Sequence, residues 1–182
     1  SQGGVFVLRV EDTDRDRSRQ EAVDAILQGM HWLGLDPDEN PYYQSERSEA
    51  HRQAALSLIE AGKAYRCVCS REDLDRMRDN QRKNNEKPRY DGRCRLRDID
   101  ENDGPSVVRF KAPQDGQTAW DDTIQGRISF PNQELDDLIL MRSDGSPTYN
   151  LAVVVDDHDM KITHVIRGDD HISNTPKQIL IY

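Results

Sequence analysis

The stretch VIRGDDHISNTPKQ, residues 165–178, sets an arginine, two aspartates and a histidine directly after a short apolar run. The planar fork of Arg167 suits a carboxylate or a phosphate. An ion pair with a neighbouring aspartate is the competing reading. A second charged cluster follows the apolar run VFVLRV, where Glu11 is succeeded by Asp12, Asp14 and Asp16. Such acids can bind an ammonium group, a divalent cation or ribose hydroxyls, or can merely complement a helix dipole. Arg15, Arg17 and Arg19 interleave with them, which argues against a pure metal cage. Tyr149, in SDGSPTYN, is either amphipathic core or, with Val153 one helical turn on, the lining of a pocket.

Cys67, Cys69 and Cys94, with Tyr90 four residues before the last, form the metal candidate. Structural zinc takes four ligands, mostly Cys and His, and no histidine lies between His51 and His158. Tyr90 is the available fourth donor, and free buried thiols are the alternative. Arg82, Lys83, Lys87, Arg89, Arg93, Arg95 and Arg97 form a basic run that either contacts phosphates or is a solvated loop. DDHDM and GDDH would suit a metal-dependent phosphohydrolase if their acids converged on a cation. His31 and His51 read as surface or packing residues, and His158 and His164 lack a partner at metal spacing.

These residues need elements to hold them. VFVLRV reads as a buried strand, and Ser18 with Glu21 as a capping box. The helix that follows carries Ala22, Val23, Ile26, Leu27, Met30 and Leu33 at helical spacing. A second helix spans residues 46–61, stopped by Gly62, and AYRCVC is a strand. Two helices between these strands imply a parallel sheet with crossovers. A polar helix over 71–83 and short strands in SVVRFKAP, TAWDDTIQGRISFP and DLILMR suggest an insertion of hairpins. LAVVVDDHDM is taken as a crossover helix because DLILMR and ITHVI, if parallel neighbours, require one. Arg167 then ends a strand, with Thr175 as cap and Pro176 as first helical residue. Ligands bind off such strand ends in open α/β sheets.

Lys plus Arg total 25 against 34 Asp plus Glu, a formal net charge of −9, which argues against indiscriminate nucleic-acid or membrane-surface binding. No apolar run approaches the ~18 residues of a membrane span. The N-terminal residues carry no secretory signal pattern, and three sparse cysteines favour a reducing compartment. The chain opens almost directly into a strand and stops on QILIY in mid-pattern, so a fragment is expected.

Taken in order, LRVEDTDRDRS, YRCVCS, KPRYDGRCR, RSDGSPTYNLAVVVDDHDM and THVIRGDDHISNTPKQ resemble the bacterial glutamyl-tRNA synthetase family over nearly the whole chain. The resemblance implies an α/β fold: a Rossmann-type class I synthetase catalytic core with an inserted α+β acceptor-binding subdomain. The expected division is residues 1–66 and 141–182 for the core and 67–140 for the insertion. It also implies ATP-dependent ligation of L-glutamate to tRNA(Glu) through glutamyl-adenylate, with Mg2+ and possible Zn2+, in a cytoplasmic monomer. On this chain Glu11 would face the substrate ammonium, Tyr149 would help hold the amino acid, and Arg167 would clamp its side-chain carboxylate. Related enzymes acting on glutamine typically lack that arginine. Asp170 and His171 would lie near ATP, and Asp14 and Arg17 near the tRNA 3′ end.

Zinc would rest on Cys67, Cys69, Tyr90 and Cys94, since Arg95, Leu96 and Arg97 occupy positions where zinc-binding relatives often carry a histidine. The HIGH and KMSKS motifs and the anticodon-binding domain are absent from the sequence, so this segment alone is expected not to aminoacylate. A related queuosine-modifying glutamylase, which shares the Tyr-Cys spacing, and a non-catalytic zinc- and RNA-binding module are the alternatives.

Overall fold

The computed structural model describes residues 3–13 and 20–182. Ser18 of the expected capping box, and Asp14 and Arg17, lie outside the described residues.

Strand β1 (Arg9–Val10) pairs in parallel with β2 (Tyr42–Tyr43), and helix α1 (Gln20–Trp32) lies between them in sequence. A single 3-10 turn, Gln44–Arg47, leads into α2 (Ser48–Glu60). Gly62, at φ +68°, then ends the helical run in a conformation that disfavours a side chain. Strand β3 (Ala64–Cys67), helix α3 (Arg71–Lys83) and strand β4 (Val107–Phe110) follow. The hairpin β5 (Gln117–Asp122) and β6 (Gly126–Pro131) precedes β7 (Ile139–Met141). Helices α4 (Tyr149–Asp159) and α5 (Thr175–Ile181) complete the order. Among the described residues, no helix is long and apolar enough to cross a membrane.

The main sheet is antiparallel, in the order β3-β4-β7. Its pleat sorts residues between two cores. Ala64, Val108 and Phe110 join Leu140, Leu151, Val154 and Ile181 beneath α2, α4 and α5. Tyr65 and Cys67 face the other way, onto Met77, Tyr90 and Cys94. Complete burial of Leu140 and Leu151 contributes roughly 1.5–3 kcal/mol each.

Helices α3 and α4 form where the sequence predicts them, and α4 settles LAVVVDDHDM as helix. Two expectations are corrected. AYRCVC contributes β3 to the antiparallel sheet and not to a parallel one, because its partner is β4. ITHVI forms no strand: residues 162–168 enter no ladder, and Val165 and Ile166 are 61% and 96% exposed. An apolar run becomes a strand only beside a partner, and among the described residues this one has none. The strand expected over 5–10 shrinks to β1 for the same reason, with Val5 and Phe6 exposed. The apolar stripe of α1 likewise buries no residue.

Candidate functional site

Arg167 lies between the end of the open run and α5. Its Nη1 donates to Gln178 Oε1 at 2.8 Å and its Nη2 donates to Thr175 Oγ1. Thr175 is therefore the first residue of α5 and an arginine partner, not its cap; Pro176 follows inside the helix. Gln178 Nε2 donates in turn to Asn150 Oδ1 at 3.3 Å, which ties the group to the first turn of α4. The ion pair with a neighbouring aspartate, the competing reading, is not formed among the described residues. Asp169 accepts from Gln125 at 3.4 Å, and exposed Asp170 lies 3.6 Å from His171 Nε2. Among the described residues, Arg167 contacts no carboxylate.

Half-buried Tyr149, adjacent to Asn150, faces His171 with ring centroids 6.3 Å apart. His171 Nδ1 is buried with no hydrogen-bond partner among the described residues. Tyr149, Arg167 and His171 thus share one neighbourhood at the N-terminal end of α4. Glu11 is held at the other end, where Arg9 donates through Nη2 to Glu11 at 3.2 Å and through Nη1 to Asp157 at 2.6 Å. Tyr149 and Asp157 are eight residues apart on α4, about 12 Å along its axis.

That far end contains residues whose importance the sequence did not show. Asp156 is fully buried and accepts from Gln44 at 2.8 Å, Arg47 at 2.7 Å and the His51 ring at 2.9 Å. Burial would raise its pKa, but the hydrogen bonds from His51, Arg47 and Gln44 outweigh it and hold the carboxyl below its ordinary value. Arg47 also reaches Asp159. His51, read as surface or packing, is a hydrogen-bond partner of Asp156 with no exposed surface. Asp12 clamps the same turn, accepting from the Ser45 amide at 2.8 Å and hydroxyl at 2.6 Å. The acids of DDHDM are therefore shared among arginines and a histidine and do not converge on a cation. The 3.6-residue period could have put Asp156 on the buried face with Ala152, but could not reveal its partners.

Next to this turn opens a cavity of about 680 Å³, lined by Asp12, Thr13, Ser45, Ser48, Arg142 and Ser146 among others. Of the acids read as candidates after the first apolar run, Asp12 lines it; Glu11, Tyr149 and Arg167 do not.

The cysteines meet where β3 ends over α3. Cys69 and Cys94 sulfurs are 3.6 Å apart, and all three thiols lie within 4.8 Å of one another. Tyr90 Oη is 3.4 Å from Cys67 Sγ and 3.9 Å from Cys69 Sγ. Tetrahedral zinc with Zn–S bonds of about 2.3 Å spaces its sulfurs roughly 3.8 Å apart, so three thiols and a phenol fit the ion. Gly92, at φ +75°, makes the turn that returns Cys94 to the cluster. A side chain there would also meet Arg95 at 3.0 Å.

The pleat of β4 places buried Arg109 with its guanidinium 3.8 Å from the Tyr90 ring centroid. Burial pushes the Cys67 thiol up, but Tyr90, the Cys69 backbone and Arg109 outweigh that and leave it below its ordinary value. Burial and the neighbouring Cys94 and Cys67 sulfurs push Cys69 up to about 12. Asp137 anchors the loop from beneath, accepting from Tyr65 and from the Ala112 amide at 3.0 Å and pairing with Arg95 at 3.3 Å. Of the expected basic run, Arg95 is therefore spent on an internal pair, and Arg82 and Arg93 pair with Asp79 and Asp91.

Comparison with known proteins places this arrangement. A glutamate–tRNA ligase of Magnetococcus marinus is 63% identical over 180 residues, 99% of this chain and 38% of that protein. One of Geobacter sulfurreducens is 60% identical over 181 residues, covering 100% of this chain and 39% of that protein. The chain thus spans about two fifths of the length of these curated relatives. A crystal structure of a glutamate tRNA ligase from Elizabethkingia meningosepticum, in complex with its amino acid, superposes with a TM-score of 0.88 at 34% identity. That match covers 99% of this chain and 40% of the other. The fold is α/β, with the mixed helices and sheets of a class I catalytic domain. All of residues 1–182 match the family described as tRNA synthetases class I (E and Q), catalytic domain, and the chain belongs to that family.

Proposed function

We propose that the protein joins L-glutamate to tRNA(Glu) using ATP, and that this chain supplies the amino-acid pocket. In the first step a glutamate α-carboxylate oxygen attacks the α-phosphorus of ATP. The bond to the β-phosphate breaks, and pyrophosphate leaves with its Mg2+. In the second, a hydroxyl of the tRNA's terminal ribose attacks the acyl carbon and AMP departs. The protein's contribution is positioning and charge stabilisation.

The observation that carries this reading is the hydrogen bonding of Arg167. Among the described residues its charge meets only neutral acceptors, and Gln178 links it to the turn bearing Tyr149. A guanidinium in that state prefers glutamate to glutamine, because the amide would leave it uncompensated. Glu11 takes the substrate ammonium in this reading, Asp170 and His171 lie toward ATP, and Asp14 and Arg17 toward the tRNA 3′ end. Arg167→Ala in the full-length enzyme lowers kcat/KM for glutamate on the order of a thousandfold, the loss of about 4 kcal/mol from an unpaired carboxylate. Glutamate-dependent pyrophosphate exchange measures it, and an unchanged kcat/KM defeats the reading.

Residues 67–140 are proposed as the subdomain that meets the acceptor end, inserted between core segments 1–66 and 141–182. Their sheet strands straddle those boundaries, since β3, β4 and β7 pair directly. Cys67, Cys69, Cys94 and Tyr90 would hold Zn2+ there, which supplies a cross-link between β3 and the 90–97 loop and contributes to folding. Elemental analysis of protein purified without chelator is expected to find one zinc per chain, and a metal-free protein of unchanged thermal midpoint counts against it. A cytoplasmic monomer is the proposed state. The queuosine-modifying and non-catalytic alternatives are not favoured, because the match spans the catalytic domain and the relatives bear the name glutamate–tRNA ligase.

A further inference from the structure

Arg167 has five N–H donors in a planar fork, and two are spent on Gln178 and Thr175. The remaining three suffice for a bidentate carboxylate. What the spent pair does depends on the chemistry of its acceptors. A carboxylate at either position would form an internal ion pair and leave the fork little affinity for an anionic ligand. An amide oxygen and a hydroxyl fix the fork's direction without quenching its charge.

The Gln178 amide is itself oriented. Its Nε2 donates to Asn150 Oδ1 at 3.3 Å, so its Oε1 is the end presented to Arg167 at 2.8 Å. The relay runs from Asn150, in the first turn of α4, across Gln178 to Arg167, and Asn150 is the chain neighbour of Tyr149. One neutral side chain thereby ties Arg167 to the helical turn that bears Tyr149. Asp169 and Asp170, the nearest acids in sequence, are exposed and turned to other partners. The neutrality of the cradle is therefore a local property of Gln178 and Thr175.

We propose that Gln178 is a positioning and specificity-determining residue, which orients Arg167 toward the substrate carboxylate while leaving its charge uncompensated. This rests on the reading of Arg167 as the carboxylate clamp. Glutamine carries an amide oxygen that accepts from the arginine and an amide nitrogen that donates to α4. Glutamate has the same shape but, ionised, cannot donate to Asn150, so Gln178→Glu adds charge and removes that one donation. Gln178→Leu removes both hydrogen bonds and adds no charge, and the difference between the two variants reports the electrostatic part.

The test uses full-length enzyme carrying Gln178→Glu, Gln178→Leu or Arg167→Ala, with glutamate- and glutamine-dependent pyrophosphate exchange and thermal unfolding as readouts. Gln178→Glu is expected to raise the KM for glutamate at least tenfold and to narrow the preference over glutamine. Its kcat and KM for ATP stay within threefold of wild type, and its thermal midpoint is equal or higher because the new carboxylate pairs with Arg167. Gln178→Leu raises the glutamate KM by a smaller factor, three- to tenfold, because the charge survives and only its direction is lost. A purely structural role would instead move the thermal midpoint and both KM values together. If Arg167→Ala abolishes glutamate use while both Gln178 variants keep a wild-type glutamate KM, the inference is overturned and the clamp stands. If Arg167→Ala leaves that KM unchanged, the clamp itself is wrong and the inference falls with it.

Discussion

The two ends of α4 treat arginine in opposite ways. At the C-terminal end Arg47 is divided between Asp156 and Asp159, and Arg9 between Asp157 and Glu11, so every guanidinium meets carboxylates. At the N-terminal end Arg167 meets an amide and a hydroxyl. Charge that is matched inside the fold stabilises the fold. Charge that is oriented but unmatched is available to a ligand. One helix of 11 residues thus separates a structural joint from the proposed binding surface, and the difference lies in the partners rather than in the arginines.

The largest expected effect comes from breaking the matched end. Asp156→Ala removes a carboxylate of zero exposure and strands Arg47, His51 and Gln44 around the gap. Buried Gln44 and His51 then lack their hydrogen-bond partner and partly exposed Arg47 lacks its buried counter-charge, at a cost of about 3 kcal/mol. Arg167→Ala removes two hydrogen bonds to neutral acceptors that water can replace, and costs about 1 kcal/mol. Urea unfolding of the two variants measures both, and equal destabilisation would erase the contrast between the ends.

Acid sharpens the same contrast with a smaller effect. Asp156 titrates below its ordinary value of 3.8 in the fold. A carboxyl depressed in this way contributes stability that is fully present above pH 3.8 and is lost as pH falls through the folded value. Wild-type protein should therefore lose stability relative to Asp156→Ala as pH drops below 3.8. Parallel curves for the two proteins over that window would show that the carboxylate carries no such load.

These outcomes follow from features that were unequally legible in the sequence. The cysteine site was readable because CVC and YDGRC carry recognisable ligand types, and β3 alternation sends Tyr65 and Cys67 to one face. Helix α3 was readable from Ser70, whose hydroxyl accepts from the Asp73 amide, and from its polar periodicity. ITHVI was misread because an apolar run reports its own preference and not the presence of a neighbour. Asp156 was hidden among the three acids of DDHDM, and only burial distinguishes it from Asp157 and Asp159. Gln178 gave no signal at all: a neutral amide on a helix has no chemistry until its two partners are in view. Arg167, Tyr149 and Glu11 stand out by residue type and position, their substrate roles coming only from family resemblance, and the structure groups the first two while tethering the third elsewhere.

The smallest effect tests that tether. Arg9 gives its shorter contact, 2.6 Å, to Asp157 and its longer one, 3.2 Å, to Glu11. Lysine presents a single charged centre without the fork, so Arg9→Lys keeps the pair with Asp157 and releases Glu11. Partly exposed pairs contribute little, and the stability loss should be about 0.5 kcal/mol. The effect on substrate is of another kind. Glu11 is 40% exposed in its side chain, and an unrestrained carboxylate must be immobilised when the ammonium arrives. Fixing one such side chain costs about 0.5–1.5 kcal/mol, a factor of roughly two to ten in affinity. Arg9→Lys should therefore raise the glutamate KM by that factor while kcat holds. A KM that falls would mean that Arg9 competes with the substrate for Glu11, and Arg9 would then belong to the matched end of the helix alone.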